Sequence, residues 1–289
     1  MLETMGEISG YLWSRDESRL RTFWRVLLAA ISGVVAVFII PPLLLQGLTL
    51  PPPLNSLAIN LFAAFTALAT AFLFSKYIDK RSLSDYGLKK GSRFKMDMIS
   101  GIVIGLIGLG VALSVYLLMG WATVVDTFSA GVAANSLSFW PSFLGFFAYF
   151  VFVAFWEELI YRGMILTNTL EGFDSTSLSR KNAVIAALFV SSIIFSLLHF
   201  PGSILVFVYR VIMGLVFGAA YLWTDSLSLP IGLHLSVNFA MNNFWGLAAA
   251  GEGSENAPML VRPEFTDVNV FTQVFGAVNT AVILIIGFA

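Results

Sequence analysis

The sequence predicts an all-α, polytopic membrane protein of about eight transmembrane helices. Of its 289 residues, 58% are apolar and only 11% are charged, whereas soluble domains carry about 25% charged residues. A soluble fold of this composition would expose large apolar patches and aggregate. In a bilayer the lipid itself is the solvent for such a surface. We therefore expect an integral, multi-pass membrane protein with membrane lipid around it.

Apolar stretches of about 20 residues, the length that spans a bilayer, recur along the whole chain. The first three and the last are uninterrupted, whereas polar residues interrupt the fourth to the seventh, and the fourth is unusually long. The predicted spans cover residues 24–45, 54–74, 98–121, 139–170, 183–200, 204–223, 229–249 and 268–288. We expect one membrane domain over 1–289, with N-terminal helices at 24–121, a catalytic core at about 139–250 and a C-terminal helix at 268–289.

Charge and cysteine content limit the orientation and the classes of function. Lys and Arg residues precede the first span and follow the second and the fourth, whereas the loops 46–53 and 122–138 contain none. Because positively charged loops stay in the cytoplasm, both termini are expected to be cytoplasmic. The net charge of −1 and the lack of a basic stripe argue against a nucleic-acid partner. The chain has no cysteine, which excludes disulfides, cysteine catalysis and thiolate metal sites.

A pair of glutamates, Glu157 and Glu158, lies inside the fourth apolar stretch. Ionisable residues within a membrane segment are costly and are usually functional. Arg162 follows Glu158 by four residues, which on a helix places the two within ion-pair reach, whereas Glu157 lies about 100° away around the axis. We therefore expect Glu158 to be the paired, structural carboxylate and Glu157 to be the unpaired one that acts as a base. The alternative is that the span ends at Trp156, which would make the pair an ordinary helix end.

The two histidines of the chain lie in interrupted spans that follow the glutamate pair. His199 comes one turn after Phe195, which is expected to support the imidazole ring. His234 and Asn238 are four residues apart and share a helix face, and both can donate hydrogen bonds to a developing oxyanion. The structural alternatives are an interfacial histidine and a polar pair that bonds across membrane helices. Because these residues all follow the glutamates in one half of the chain, we predict one site in the core of helices four to seven.

Two further observations bear on this prediction. Arg210 is another charge within the sixth span, and the sequence assigns it no partner. Counting residues along the spans at about 1.5 Å each places His199 and His234 at depths that differ by about 10–15 Å. A single site therefore requires helix tilt or shifted span ends.

Three short motifs follow one another between residues 157 and 238. They are Glu157–Glu158–Leu–Ile–Tyr–Arg162, Phe195–Ser–Leu–Leu–His199 and His234–Leu–Ser–Val–Asn238. In order and spacing they resemble the Glu-Glu-x-x-x-Arg, Phe-x-x-x-His and His-x-x-x-Asn motifs of the CAAX-protease and bacteriocin-processing family (CPBP, also called Abi). That family includes the type II CAAX prenyl endopeptidases. The resemblance is good over residues 157–238. Residues 1–130 resemble the family only in that they contain membrane helices and a basic loop.

The resemblance implies a glutamate-dependent intramembrane endopeptidase that acts on a membrane-associated peptide or protein, with prenylated CAAX-type peptides among the candidates. It implies that Glu157 activates a water molecule with the help of His199. His234 and Asn238 would form the oxyanion hole. Glu158 and Arg162 match positions that support the site.

Other functions remain open at this point. No cofactor is expected, but a zinc peptidase with Glu157, His199 and His234 as ligands is an alternative, since two histidines and one carboxylate form a known catalytic zinc set. A proton-coupled transporter would use the same residues as a relay. A non-catalytic membrane protein with this fold is the third alternative. The sequence does not identify the substrate or the oligomeric state.

Overall fold

Long apolar helices make up most of the molecule. The computed structural model describes residues 11–14, 17–50, 52–131, 138–250, 257–266, 269, 271 and 277–288. Six helices in these ranges are long and apolar enough to cross a membrane: α1 (Thr22–Leu45), α2 (Leu54–Asp79), α3 (Ser92–Leu118), α4 (Phe139–Asp174), α5 (Arg180–Leu197) and α6 (Ile204–Thr224). The predicted fold class, an all-α polytopic membrane protein, is therefore confirmed.

Two shorter helices lie at the positions of the seventh and eighth predicted spans. Helix α7 covers Ser228–Phe239 and continues as a π-helix over Ala240–Phe244, so its regular part is shorter than the predicted 229–249. Helix α8 is described over Ala277–Phe288, and much of the predicted span at 268–288 before it lies outside the described residues. The count of eight spans, the single domain and the cytoplasmic position of both termini stay predictions.

Two small antiparallel sheets, which were not predicted, lie outside the helices. Strand β1 (Trp13–Ser14) pairs with β2 (Arg19–Leu20) ahead of α1. Strand β3 (Ala122–Ser129), which follows α3, pairs with β4 (Met259–Phe265), which follows α7. The segment of β3 was interpreted as part of the loop 122–138. In the structure its side chains are exposed on both faces over most of its length. Such a strand lacks the alternation of apolar and polar residues that would reveal it.

Helices α3 and α7 pack with their backbones in close approach, because small residues lie at the crossing. A Cβ atom on Gly232 would clash with the carbonyl group of Met98, and one on Gly101 would meet the backbone of α7. The hydroxyl of Ser236 donates to the carbonyl oxygen of Gly101 at 3.1 Å. Small residues at such crossings allow membrane helices to approach closely. The crossing fixes the part of α7 that carries His234.

We expect Gly232→Ala to lower the midpoint of thermal unfolding, because the crossing has no room for a methyl group. Overpacking of a tight contact costs about 1–3 kcal/mol. Gly145→Ala in α4 is the matched control, since nothing lies within 4 Å of a Cβ atom at that position. Thermal unfolding of both variants in the same detergent measures the difference. Equal midpoints for Gly232→Ala and the wild type would show that the crossing tolerates a larger residue.

A buried network of charges joins α1, α2 and α4 near the end of the bundle where α1 begins. The Arg25 guanidinium, which has no exposed surface, donates to Asn168 Oδ1 at 2.6 Å and to Glu171 Oε2 at 3.1 Å. It also lies 3.6 Å from Asp79 Oδ1. Burial and the adjacent Asp79 carboxylate raise the pKa of Tyr86, whose hydroxyl donates to Asp79. The network fixes the C-terminal part of α4 against the first two helices.

Candidate active site

Glu157, near the middle of α4, lies next to both histidines of the chain. Its Oε2 atom is 3.3 Å from His199 Nε2 and 3.6 Å from His234 Nε2. Glu157 and His234 are 6% and 3% exposed, so the contact is shielded from bulk solvent. Three residues that were predicted from separate motifs therefore meet at one carboxylate oxygen.

The helix around the glutamate pair corrects two of the sequence-based interpretations. Helix α4 runs on from Phe139 to Asp174, so the alternative in which the span ends at Trp156 is wrong. The interpretation of Glu157 as an unpaired carboxylate also needs correction, because two imidazoles lie beside its Oε2 atom, although neither forms a hydrogen bond with it. These contacts come from helices far away in sequence, which the spacing within α4 does not reveal. Residues Leu159–Leu166 of α4 form a π-helix, a feature that often marks functional sites in helices.

The predicted difference in depth between the histidines is not present, because α5 and α7 begin at different levels. Leu227, just before α7, donates its amide to the carbonyl oxygen of Gly87 at 3.0 Å. The adjacent Tyr86 packs against Gly163 of α4. Helix α4 continues from Gly163 to Asp174 before α5 begins, a distance of about 16 Å at 1.5 Å per residue. Because α5 starts that much farther out, His199 at its end reaches the same level as His234 near the start of α7.

Each imidazole is held through its Nδ1 atom. His199 Nδ1 lies 2.7 Å from the carbonyl oxygen of Phe195, and His234 Nδ1 lies 2.6 Å from Glu158 Oε1. Carbonyl and carboxylate oxygens only accept hydrogen bonds, so this geometry assigns the proton to Nδ1 in both rings. Both Nε2 atoms then face Glu157 Oε2, which is buried and has no hydrogen-bond partner among the described side chains and backbone. A proton or a water molecule is needed at this point.

Glu158 connects His234 to Arg162. Its Oε1 atom accepts a hydrogen bond from Arg162 at 2.8 Å, which is the predicted ion pair, and also lies against His234 Nδ1. The Arg162 guanidinium is 2% exposed and lies over the rings of Phe195 and Phe217, at 4.6 and 5.2 Å. Spacing along α4 predicted the ion pair but not the histidine. Glu158 therefore orients His234 in addition to pairing with Arg162.

Aromatic rings pack against both imidazoles. Phe195, which was expected to support His199, lies 4.5 Å from it between ring centroids. Phe217 of α6 stacks on His234 at 4.8 Å with an angle of 24° between the rings, and this contact was not predicted. The sequence contains one signal for it: Phe217 follows Arg210 by seven residues, which places both on one face of a helix.

The residues around Glu157 border a cavity of about 210 Å³. Asn238, which was predicted to act with His234, lines this cavity, as does Arg210. The described residues that line it are Glu157, Phe195, His199, Tyr209, Arg210, Met213, His234, Asn238, Met241 and Asn242. Glu157, His199, His234 and Asn238 therefore line one cavity, whereas Glu158 and Arg162 are not among its lining residues. Asn242, which was not predicted, lies one helical turn beyond Asn238.

Whether these residues hold a metal ion is a separate question. In the part of the chain that the structure describes, no group of three or more His, Asp or Glu side chains has the arrangement of a metal site. The zinc alternative and the expectation of no cofactor are both left to a chelation experiment.

Residues 138–240 match the model of a family described as type II CAAX prenyl endopeptidase Rce1-like. The matched segment contains α4 to α7 and with them all the predicted site residues, whereas α1 to α3 lie outside it. No curated protein and no solved structure matches the chain significantly.

Proposed function

Because residues 138–240 match the model of a family described as type II CAAX prenyl endopeptidase Rce1-like, we propose that this membrane protein hydrolyses a peptide bond with a water molecule activated by Glu157. The observation that carries the proposal is the position of Glu157 Oε2 beside two imidazole Nε2 atoms at the wall of a cavity. We further propose a membrane-associated peptide or protein as the substrate. A prenylated CAAX-type peptide is the first candidate, because the family is described by that activity.

The contacts at Nδ1 favour different roles for the two histidines. Glu157 and Glu158 carry two negative charges, and Arg162 and Arg210 supply two positive charges at the site. Because Nδ1 already carries a proton in both rings, the ring that acts as a donor at Nε2 needs a second proton. His234 is the better place for it, because its Nδ1 atom lies 2.6 Å from the Glu158 carboxylate, which stabilises an imidazolium. At His199, the Nδ1 atom lies against the carbonyl oxygen of Phe195 and not against a carboxylate, so we assign to its Nε2 atom the role of accepting a hydrogen bond from the water.

With these protonation states, the site supplies a base on one side and a donor on the other. A water molecule between Glu157 Oε2 and His199 Nε2 donates its two O–H groups to these atoms and directs a lone pair at the scissile carbonyl carbon. As the C–O bond forms, one proton of the water moves to Glu157 and the carbonyl electrons move onto the oxygen. His234 Nε2–H and the Asn238 amide donate hydrogen bonds to this oxyanion.

The second half of the reaction returns the proton. The tetrahedral intermediate breaks down by cleavage of its C–N bond, and Glu157 gives its proton to the leaving amine nitrogen. The products are a carboxylic acid on one fragment and an amine on the other, and Glu157 is regenerated. The acid still carries the second proton of the water, and its transfer to the amine gives a carboxylate and an ammonium group. The base therefore acts twice in each turnover.

We expect Asn238→Ala to lower kcat by about 10²–10³-fold, with a smaller effect on KM. The physical reason is the loss of one donor that acts on the oxyanion rather than on the ground-state substrate. Asn182→Ala, at the exposed start of α5, is the matched control and should keep the wild-type rate. Initial rates over a range of peptide concentrations separate kcat from KM. An effect on KM alone would assign Asn238 to substrate binding.

Cleavage of a panel of membrane-associated peptides tests the proposed function. Purified wild type and Glu157→Ala are incorporated into liposomes with prenylated and unprenylated peptides, and the products are identified by mass spectrometry. We expect cleavage by the wild type alone, and a preference for prenylated peptides would support the CAAX-type substrate. A folded wild type that cleaves no peptide would contradict the proposal. Proton flux through the liposomes that is lost in Glu157→Gln would favour a transporter instead.

A further inference from the structure

Arg210 of α6 places a permanent positive charge in the wall of the active-site cavity. Its guanidinium NH1 donates to the carbonyl oxygen of His199 at 2.9 Å, which holds it beside the residue that is proposed to bind the water. It lines the same cavity as Glu157 and is close enough to interact with that carboxylate electrostatically. The proposed mechanism gives Arg210 no part in the activation of water or in the stabilisation of the oxyanion.

The other lining residues show why this charge matters for binding. Among the described residues, the lining contains no lysine and no second arginine. Its remaining described members outside the mechanism are Phe195, Tyr209, Met213, Met241 and Asn242. Glu157 makes the cavity unfavourable for an anion unless a cation compensates it. The Arg210 guanidinium at the wall makes the part of the cavity next to it favourable for an anion. Its planar donors match the two oxygens of a carboxylate.

We propose that Arg210 binds a carboxylate of the substrate close to the scissile bond. The inference rests on the proposed peptidase function. A cavity of about 210 Å³ takes a short piece of chain, and an extended residue spans about 3.5 Å. The carboxylate therefore lies within about two or three residues of the bond that is cleaved. Both the C-terminus of a peptide and an acidic side chain provide this group.

Three matched peptides separate these two sources. They share the sequence around the cleavage site and end in a free carboxylate, in an amide, or in an amide with glutamate as the last residue. For the wild type, we expect amidation to lower kcat/KM by about 10- to 100-fold, mainly through KM, because a charge-assisted hydrogen bond is lost. A glutamate side chain that restores the rate would show that any carboxylate in reach is accepted. Failure to restore it would restrict the site to the C-terminal carboxylate.

The same peptides test the residue. In Arg210→Gln, we expect the difference between the carboxylate and amide peptides to disappear, and Arg210→Lys is expected to recover part of it. Lys181→Gln removes one positive charge from the exposed start of α5 and should keep the wild-type difference. Because the comparison is between two peptides on one protein, a variant with a lower active fraction still gives a valid ratio.

Two results would overturn the inference while the proposed function stands. One is equal kcat/KM of the wild type for all three peptides. The other is an Arg210→Gln variant that loses activity on the carboxylate and amide peptides by the same factor, since this would mean that Arg210 only positions His199. The absence of any cleavage by the folded wild type would instead contradict the proposed function and the inference together.

Discussion

Glu157→Gln is expected to lose most of the peptidase activity while the fold stays intact. An amide oxygen does not take up the proton of the attacking water, and loss of a general base costs about 10²–10⁴-fold in rate. Glutamine has nearly the same size and remains able to hydrogen-bond to the imidazole Nε2 atoms. The measurement is kcat for one peptide substrate together with the midpoint of thermal unfolding.

Asp225→Asn is the matched control for this change of carboxylate to amide. The Asp225 side chain is 82% exposed, and its backbone has a φ of 49°, a left-handed conformation that asparagine adopts readily. We expect wild-type activity from this variant. A rate for Glu157→Gln within about tenfold of the wild-type rate would show that another group is the base.

Arg162→Met is expected to lower the free energy of unfolding by about 3–5 kcal/mol, because it removes one partner of a buried ion pair with Glu158. The guanidinium is 2% exposed and bonded to Glu158 at 2.8 Å, so solvent does not replace it. It also covers the faces of Phe195 and Phe217. Unfolding by denaturant in one detergent, compared with the wild type, measures the loss.

The double variant Glu158→Gln/Arg162→Met separates stability from catalysis. It removes both charges, so it should regain part of the stability that the single Arg162→Met variant loses. It should not regain activity, because His234 no longer has the carboxylate that orients it and stabilises its positive charge. Recovery of activity together with stability would mean that Glu158 supports only the fold.

The sequence predicted those features that depend on local spacing or on the bilayer. The sixth span was predicted at 204–223 and is found at Ile204–Thr224, because an apolar helix must match the membrane in length and satisfy its own backbone. The ion pair of Glu158 and Arg162 followed from their separation by four residues on one helix. Both results need no knowledge of how the helices pack.

The features that the sequence did not predict depend on contacts between distant segments. The hydrogen bond between His234 and Glu158 and the stacking of Phe217 on His234 join different helices. The common level of the two histidines depends on the extension of α4 beyond Gly163, which sets where α5 begins. The π-helix after Glu158 has no apolar period of its own that would distinguish it from an α-helix.

The rate of peptide cleavage by the wild type after exhaustive chelation tests most directly whether the Glu157 carboxylate itself activates the water. The proposed mechanism predicts the same rate before chelation, after it and after addition of Zn²⁺. A rate that falls on chelation and returns with Zn²⁺ would contradict it, because Glu157, His199 and His234 would then act as metal ligands.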